Sequence, residues 1–369
     1  MDTPAEHAAT KEPGYRVLDP VWFNAGPEPA TLVAAPVTPV ARFFARNHGV
    51  IPAGEPATWR VTVDGLVARQ LALTVAELMD GRFPVHTVAA TLVCAGLRRT
   101  ELMEHREVPG ELGWGLEPVG TGTWTGVRLA DLLAAAGVAP DAAHVELTGA
   151  DDVERQGRHF GFGGSIPLAK ARADEVLLAW GMNAEPLPPL HGGPLRLVVP
   201  GYIGARSVKW LARVTLRATP SEYYFQRDAY RVLREPAVAD PRSVRAGDEL
   251  GEVPLNAVIV SPEPFARVAA GPLEVRGWAM GHGSAPLRGV ELSVDHGASW
   301  QPVALEGGGE AWTWRFWRAT VAAAPGLLTI MARATDQAGH VMPASLAEVW
   351  NVKGYANNAW HRVAVEVTG

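Results

Sequence analysis

The hydrophobic pattern changes character about two-thirds of the way along the chain. Between residues 59 and 216 short apolar segments of both periodicities alternate. Residues 59–65 alternate apolar and polar and predict a half-buried strand closing at Asp64-Gly65. Thr74-Val75-Ala76-Glu77 carries the capping-box pattern and predicts a short helix stopped at Gly81. The apolar run at 88–93 predicts a buried strand. Leu129, Leu132, Leu133 and Ala136 fall at helical spacing, with Gly137 as the stop. Residues 145–148, 176–180 and 195–199 predict strands, 168–172 a short helix, and 208–216 an amphipathic run. Residues 124–126 are expected to turn, and 160–167 to form a glycine-rich loop. This mixture predicts an α+β domain ending near residue 230. From about Asn256 helical spacing disappears. Strands are expected at 257–260, 273–278, 290–294, 312–317 and 328–334, with turns at Asp295-His296-Gly297 and 336–339 between them. That spacing predicts an antiparallel β-sandwich. Residues 1–40, rich in Pro and Ala with weak periodicity, read as an irregular surface arm. The expected organisation is the arm over 1–40, an α+β domain over 41–240 and a β domain over 241–369.

Composition narrows the function. With 369 residues, 47% of them hydrophobic and 20% charged, two cores can be buried. A net charge of −6 argues against a nucleic-acid binder working through bulk charge, so any anion site must rest on a local cluster of cations. A single cysteine excludes an intramolecular disulfide, a multi-cysteine zinc site and a CxxCH haem attachment within this sequence. No apolar run approaches the roughly 20 residues of a membrane span, so no membrane partner is expected. Residues 1–13 are polar and carry no signal-peptide pattern. A cytoplasmic location is the expectation, and a periplasmic one if a presequence has been removed.

The one cysteine, Cys94, ends the apolar run at 88–93 and is followed by Ala95-Gly96-Leu97-Arg98-Arg99. Taken alone, such a residue is a small core hydrophobe. Fixed positive charge beside a thiol, however, favours its ionised form. The glycines between 120 and 126 lack dinucleotide-loop spacing, and neither HExxH nor GxSxG occurs. Asp151-Asp152 after a strand reads as a turn or helix cap. Several cations fall in company at strand ends and loops, where site residues concentrate: Arg46-Asn47-His48, Arg98-Arg99, His191 to Arg196, and Gly204 to Trp210.

Those motifs, in that order, resemble the sulfite oxidase family of molybdenum–pterin enzymes. Phe43 to His48 is similar to its FxxRNH-type segment and Cys94 to Arg99 to its CAGNRR segment. Trp124 to Leu129, Ser165 to Leu168, Leu177 to Asn183, Pro200 to Trp210, Trp350 to Gly354 and Asn358 to Val363 follow in family order. The resemblance implies an α+β molybdopterin-binding domain (sulfite oxidase-like) followed by an all-β immunoglobulin-like sandwich that makes a homodimer. It implies molybdenum-molybdopterin as cofactor, with Cys94 as the metal ligand. Arg46, Asn47, His48, Asp151, His191, Arg196, Ser207, Val208 and Lys209 would hold the pterin and its phosphate. Arg46, Arg99, Trp114, Tyr230 and Lys353 would form the substrate pocket. The implied reaction is oxygen-atom transfer, taking the small anion sulfite to sulfate. Two electrons then leave singly to a separate acceptor such as a cytochrome, with no haem in this chain.

Four positions depart from the family pattern: Leu97 stands where it has Asn, Lys353 where sulfite-oxidising members carry Arg, Phe225 where it has Trp, and Leu190 where it has Asp. Lysine lacks the bidentate fork of arginine, so Lys353 alters how an anion is held. Two other readings compete with sulfite oxidation. One is a reductase on the same scaffold acting on nitrate or an S-oxide. The other is a binding or assembly module without cofactor, which the joint occurrence of metal and anion motifs disfavours.

Overall fold

The elements were determined in a computed structural model that describes residues 4–155, 157–234, 245–307 and 310–369. The arm holds helix α1 (Pro4–Ala9) and a hairpin of β1 (Arg16–Asp19) and β2 (Asn24–Gly26). There follow β3 (Arg60–Gly65), β4 (Leu71–Thr74), α2 (Val75–Met79), β5 (Val85–Val93), α3 (Arg99–His105), β6 (Val119–Arg128) and α4 (Leu129–Ala136). Next come β7 (His144–Gly149), β8 (Val153–Arg155), β9 (Arg158–Phe160), β10 (Gly163–Pro167), α5 (Leu168–Ala171), β11 (Leu177–Met182), β12 (Glu185–Pro186), β13 (Arg196–Val198) and β14 (Leu211–Arg217). The second half adds β15 (Arg231–Val232), β16 (Asp248–Glu249), β17 (Asn256–Ser261), β18 (Arg267–Ala269), β19 (Gly271–Met280), β20 (Leu287–Ser293), β21 (Gln301–Val303), β22 (Leu305–Glu306), β23 (Arg315–Ala323), β24 (Gly326–Asp336), α6 (Leu346–Val349) and β25 (His361–Thr368).

The first half contains two larger sheets, ordered β10-β7-β14-β3-β4 and β12-β11-β6-β5, with β13 also on β11. The second half packs β17-β19-β23-β22 against β18-β25-β24-β20-β21, a two-sheet β-sandwich. The capping box at Thr74 and the left-handed stop at Gly137 form as predicted. The expected domain boundary at 240/241 and the first residues of the arm lie outside the described residues.

Three expectations need correction. Residues 124–126 are not a turn but part of β6, which pairs with β5 along its whole length and with β11 on its other side. The glycines there serve close packing: a Cβ on Gly126 would sit 1.9 Å from the Leu178 carbonyl oxygen. Residues 160–167 are not one loop, since β10 spans most of them and pairs with β7. The arm is not irregular. Its hairpin is stitched to the segment preceding Arg46 by Ala25 N–H to Ala45 O and Ala45 N–H to Ala25 O, at 3.0 and 2.8 Å. Two three- or four-residue strands are too short to show periodicity.

The two halves share a core. Along β17, Ala257 and Ile259 face the sandwich interior, while Val258 and Val260 join the apolar cluster of the first half. Trp278 and Met280 of β19 do the same. A strand buried on both faces reads as a continuous apolar run, which is why 257–260 shows no alternation. Leu97 sits in this contact, 4% exposed and in the same cluster as Trp278 and Met280. Its departure from the family pattern therefore fills an apolar seam between domains.

Candidate active site

Strand β5 delivers Cys94 to one wall of a cleft of about 720 Å³ that opens to solvent. The thiol is 8% exposed, and its Sγ accepts the Gly96 N–H at 3.4 Å. The opposite wall comes from the residues after Phe43, the loop at His191, and the stretch 204–210. Gly204 passes so close to β5 that a Cβ would lie 3.2 Å from the Val93 carbonyl oxygen.

The arm positions the first motif. The Asn24 side-chain oxygen accepts from the Asn47 N–H at 2.7 Å and from Arg46 Nη1 at 3.1 Å. Asn47 Nδ2 donates to the carbonyls of Trp22 and Phe23, and Lys209 Nζ donates to Asn47 Oδ1 and to Leu190 O. Lys11, also from the arm, lies 2.9 Å from His191 Nε2. The sequence carried no signal for Asn24 or Lys11, because their partners are distant in the chain.

Electrostatics show what the cleft is built to hold. Arg196 spends its donors on three carbonyls, those of Leu197, His191 and Ser207. Burial pushes its guanidinium down to about 9. Burial also holds the Lys209 ammonium well below its ordinary value, helped by Arg196 and opposed by Asp151. Among the described residues, Arg46, Arg196 and Lys209 form no ion pair with a carboxylate. Buried cations with no carboxylate in ion-pair contact are costly, and a bound anionic group offsets that cost. The donor set thus fits a phosphate-bearing cofactor, with charge-assisted bonds from Arg196, Lys209 and the neighbouring backbone. Ser207 Oγ accepts from Val199 N–H and the Val208 carbonyl from Leu197 N–H, so both act as rigid wall. Among the described residues no group of three or more His, Cys, Asp or Glu is placed to hold a metal. Cys94 offers the soft thiolate donor on this wall and would be the protein residue suited to hold a metal carried by a bound cofactor.

A wide π-helical turn over Phe225–Ala229 brings Tyr230 into the cleft wall. The Tyr230 hydroxyl lies 3.1 Å from His48 Nε2. Burial pushes that hydroxyl up to about 12, so it stays protonated at neutral pH. Burial, with Arg46, Arg155 and Lys209, holds His48 well below its usual range and therefore neutral. Phe162 and Phe225 pack on His48, at ring distances of 4.7 and 4.6 Å. Phe225, another departure, is thus an apolar support for this histidine.

The cleft gathers Arg46, Asn47, His48, Cys94, Asp151, His191, Arg196, Ser207, Val208, Lys209 and Tyr230, eleven of the predicted site residues. Arg99, Trp114 and Lys353 do not line it. Arg99 donates to the carbonyls of Gly354 and Leu112 and lies over the Tyr355 ring, which stacks on Tyr230. Lys353 Nζ bonds Glu111 at 2.9 Å. Trp114 is fully buried, and its indole N–H finds no partner. The pair of arginines beside the thiol does not present unpaired charge to it either: Arg98 is committed to Glu101 and Arg99 to Glu111.

Asp151 makes the cleft pH-sensitive. Burial pushes its carboxyl up to about 6, against the hydrogen bond from Phe162 N–H and the charge of Lys209. A raised folded value means that this group stabilises the fold below its ordinary value of 3.8, and that the contribution is lost as pH rises through about 6. Urea midpoints of the cofactor-free protein are expected to fall across that window. Asp151→Asn is expected to flatten the fall; an unchanged slope would assign the titration to another group.

A buried thiol on the wall of a cleft lined by cations is the arrangement of an enzyme that binds an anionic cofactor. Residues 48–225 match the family described as "Oxidoreductase molybdopterin binding domain", and residues 248–368 the "Mo-co oxidoreductase dimerisation domain". The chain is 39% identical to mitochondrial sulfite oxidase of Mus musculus, over 99% of this chain and 67% of that protein. It is 32% identical to sulfite oxidase of Arabidopsis thaliana, over 97% of this chain and 95% of that protein. The sulfane dehydrogenase SoxCD of Paracoccus pantotrophus superposes with a TM-score of 0.80 at 26% identity, covering 98% of this chain and 89% of that one. The chain belongs to the sulfite oxidase family of molybdopterin-dependent oxidoreductases.

Proposed function

We propose that the protein oxidises sulfite to sulfate with a molybdenum–molybdopterin cofactor. The observation that carries this reading is the convergence of Cys94, Tyr230 and Arg46 on a cleft whose other wall holds buried, unpaired cations. When bound, the cofactor supplies the transferred oxygen atom and takes up the two electrons. The chain supplies the rest. Arg196 and Lys209 hold the phosphate end, and Cys94 holds the metal. Arg46 attracts and orients the sulfite anion, and its contact with Asn24 fixes where that charge sits. Tyr230 keeps its proton and donates it as a hydrogen bond to a substrate or product oxygen. The aromatic layer of Phe162, Phe225 and Tyr355 limits water around that hydroxyl.

The electrons pass singly to a separate acceptor such as a cytochrome, and no haem is assigned to this chain. The second domain, read as an immunoglobulin-like sandwich, joins two copies into a homodimer, in keeping with the dimerisation family it matches. Metal analysis together with sulfite-dependent reduction, using ferricyanide or cytochrome c as acceptor, tests the reading. Stoichiometric molybdenum and sulfite-driven acceptor reduction are expected. A reduced protein that nitrate or a sulfoxide reoxidises faster than sulfite can re-reduce it would favour the reductase reading instead.

A further inference from the structure

Lys11 is a buried cation of the arm that the proposed reaction does not use. Its Nζ stands among three acceptors: the carbonyls of Val40 and Phe43, at 2.8 and 3.0 Å, and His191 Nε2, at 2.9 Å. It also lies over the Tyr15 ring, 5.4 Å from the centroid, and the Tyr15 hydroxyl donates to the same Phe43 carbonyl. Phe43 and His191 both line the cleft, and their rings meet edge to face. An ammonium has three N–H groups and no lone pair, so these three acceptors use all of its donors. His191 Nε2 is then the unprotonated nitrogen of its ring. Burial, with the charges of Lys11, Lys209, Arg196 and His7, holds His191 well below its usual range, so the ring is neutral. A neutral imidazole carries one N–H, and here it falls on Nδ1. That nitrogen has no hydrogen bond among the described residues and is left for what occupies the cleft.

We propose that Lys11 is a positioning residue for the cofactor, which from the far side of the ring fixes His191 as an Nδ1–H donor into the cleft. This rests on the reading of the cleft as a cofactor site, and it adds the residue that sets the sense of one hydrogen bond there. The class of partner follows: a carbonyl oxygen, ring nitrogen or phosphate oxygen of the cofactor, and not an amino group. The arrangement depends on the charge of Lys11. As a neutral amine Lys11 keeps two N–H groups for the two carbonyls and turns its lone pair to His191, which reverses the ring. Burial pushes Lys11 down to about 7. Lys209, Arg196 and His7 around His191 are cations or become so, and Glu12, the neighbouring carboxylate, is already paired with Arg42 at 2.6 Å. A bound anionic group favours the ammonium, so cofactor binding and the donor sense of His191 support each other. The Glu12–Arg42 pair and the Ala25–Ala45 hydrogen bonds anchor the arm independently of Lys11.

The test reads the His191 ring by nitrogen–proton NMR in full-length holoenzyme with isotope-labelled histidine, its signal assigned through His191→Gln. Spectra are taken at about pH 6, below the value of about 7 for Lys11, where the ammonium prevails. Wild type is expected to show His191 protonated on Nδ1 alone. Lys11→Met, similar in length and without a donor, is expected to lose that signature, and Lys11→Arg, a donor-only cation, to keep it. Cofactor release, followed as molybdenum remaining after repeated gel filtration, is expected to be roughly tenfold faster in Lys11→Met, the size of one hydrogen bond. It is expected to return toward wild type in Lys11→Arg. His191 protonated on Nε2 in the wild type, or the wild-type signature retained in Lys11→Met, overturns the proposal and leaves Lys11 a structural contact. Release at the wild-type rate in Lys11→Met overturns the link to the cofactor. Should the Met variant fail to load cofactor, wild type and Lys11→Arg still decide, since Nε2–H in either overturns the proposal. The spectra need no turnover: Nδ1–H in the wild type and its loss in Lys11→Met, in a protein inert toward sulfite, would remove the assigned reaction and keep this role.

Discussion

Cys94→Ser is expected to leave a folded protein that has lost sulfite oxidation by at least about a hundredfold. Losing an outer-shell partner of a metal ligand already costs about 10- to 100-fold, and this substitution removes the proposed ligand itself. The hydroxyl is close in volume to the thiol, and among the described residues the Cys94 side chain makes one weak hydrogen bond, from Gly96 N–H. The strand that carries it stays paired with β6 through Val93 and Val119. Packing therefore changes little, and thermal stability is expected to stay near that of the wild type. Serine remains a neutral hydroxyl where thiolate is required, and oxygen is a poorer donor than sulfur for a soft site. The check is the cofactor's sulfur-to-metal absorption band together with sulfite turnover. Persistence of either at wild-type strength would remove Cys94 from the metal. With the phosphate end placed on Arg196 and Lys209, as proposed, cofactor content is expected to fall less than activity.

Arg98→Met is expected to destabilise the protein by about 3–5 kcal/mol, the cost of leaving one half of a buried ion pair alone. Arg98 is fully buried in a left-handed conformation just before α3. Its guanidinium forms a two-pronged bond with Glu101, at 2.7 Å to each oxygen. Its remaining donor reaches across the domain seam to Asn256 Oδ1 and the Ala359 carbonyl, each at 2.9 Å. Burial pushes the Glu101 carboxyl up, and Arg98 more than reverses this, holding it below the usual carboxylate range. Nearby His361 cannot take over that duty at neutral pH, since burial holds it down to about 3. Without Arg98 the buried carboxylate prefers its proton. The deficit of Arg98→Met relative to wild type is accordingly expected to shrink as pH is lowered toward the Glu101 value. Urea unfolding at two pH values measures both. A loss below about 1 kcal/mol, the range of exposed pairs, would mean that the seam is hydrated.

The neighbouring arginines show how far residue order can be read. Their place directly after the cysteine was plain in the sequence. Their division of labour was not, because it depends on backbone direction. The left-handed turn at Arg98 sends its side chain into the domain seam and leaves Arg99 packed over Gly96 and Tyr355. Leu97 gained its explanation in the same way, from Trp278 and Met280, about 180 residues away in the chain.

Elements with strong local signals were legible in advance. The capping box at Thr74, the Gly137 stop, the buried strand before Cys94 and the change to an all-β pattern after Asn256 each follow from interactions within a few residues. The motif order likewise indicated the cofactor class, since the types of residue needed to hold a metal thiolate and a phosphate are few. What local pattern could not carry was anything made by distant pairing. Glycine-rich β6 looks like a turn until β5 and β11 close on either side of it. The arm looks irregular until Ala25 bonds Ala45 and Asn24 receives Arg46. Glu111 carries no motif, and only the fold sets it between Arg99 and Lys353. Local conformation is settled by neighbours in sequence, whereas charge pairing, burial and close backbone approach are settled by neighbours in space. For this protein the sequence determined the motifs and their order, and the tertiary structure decided which of those residues face the cleft and which are already held by a partner.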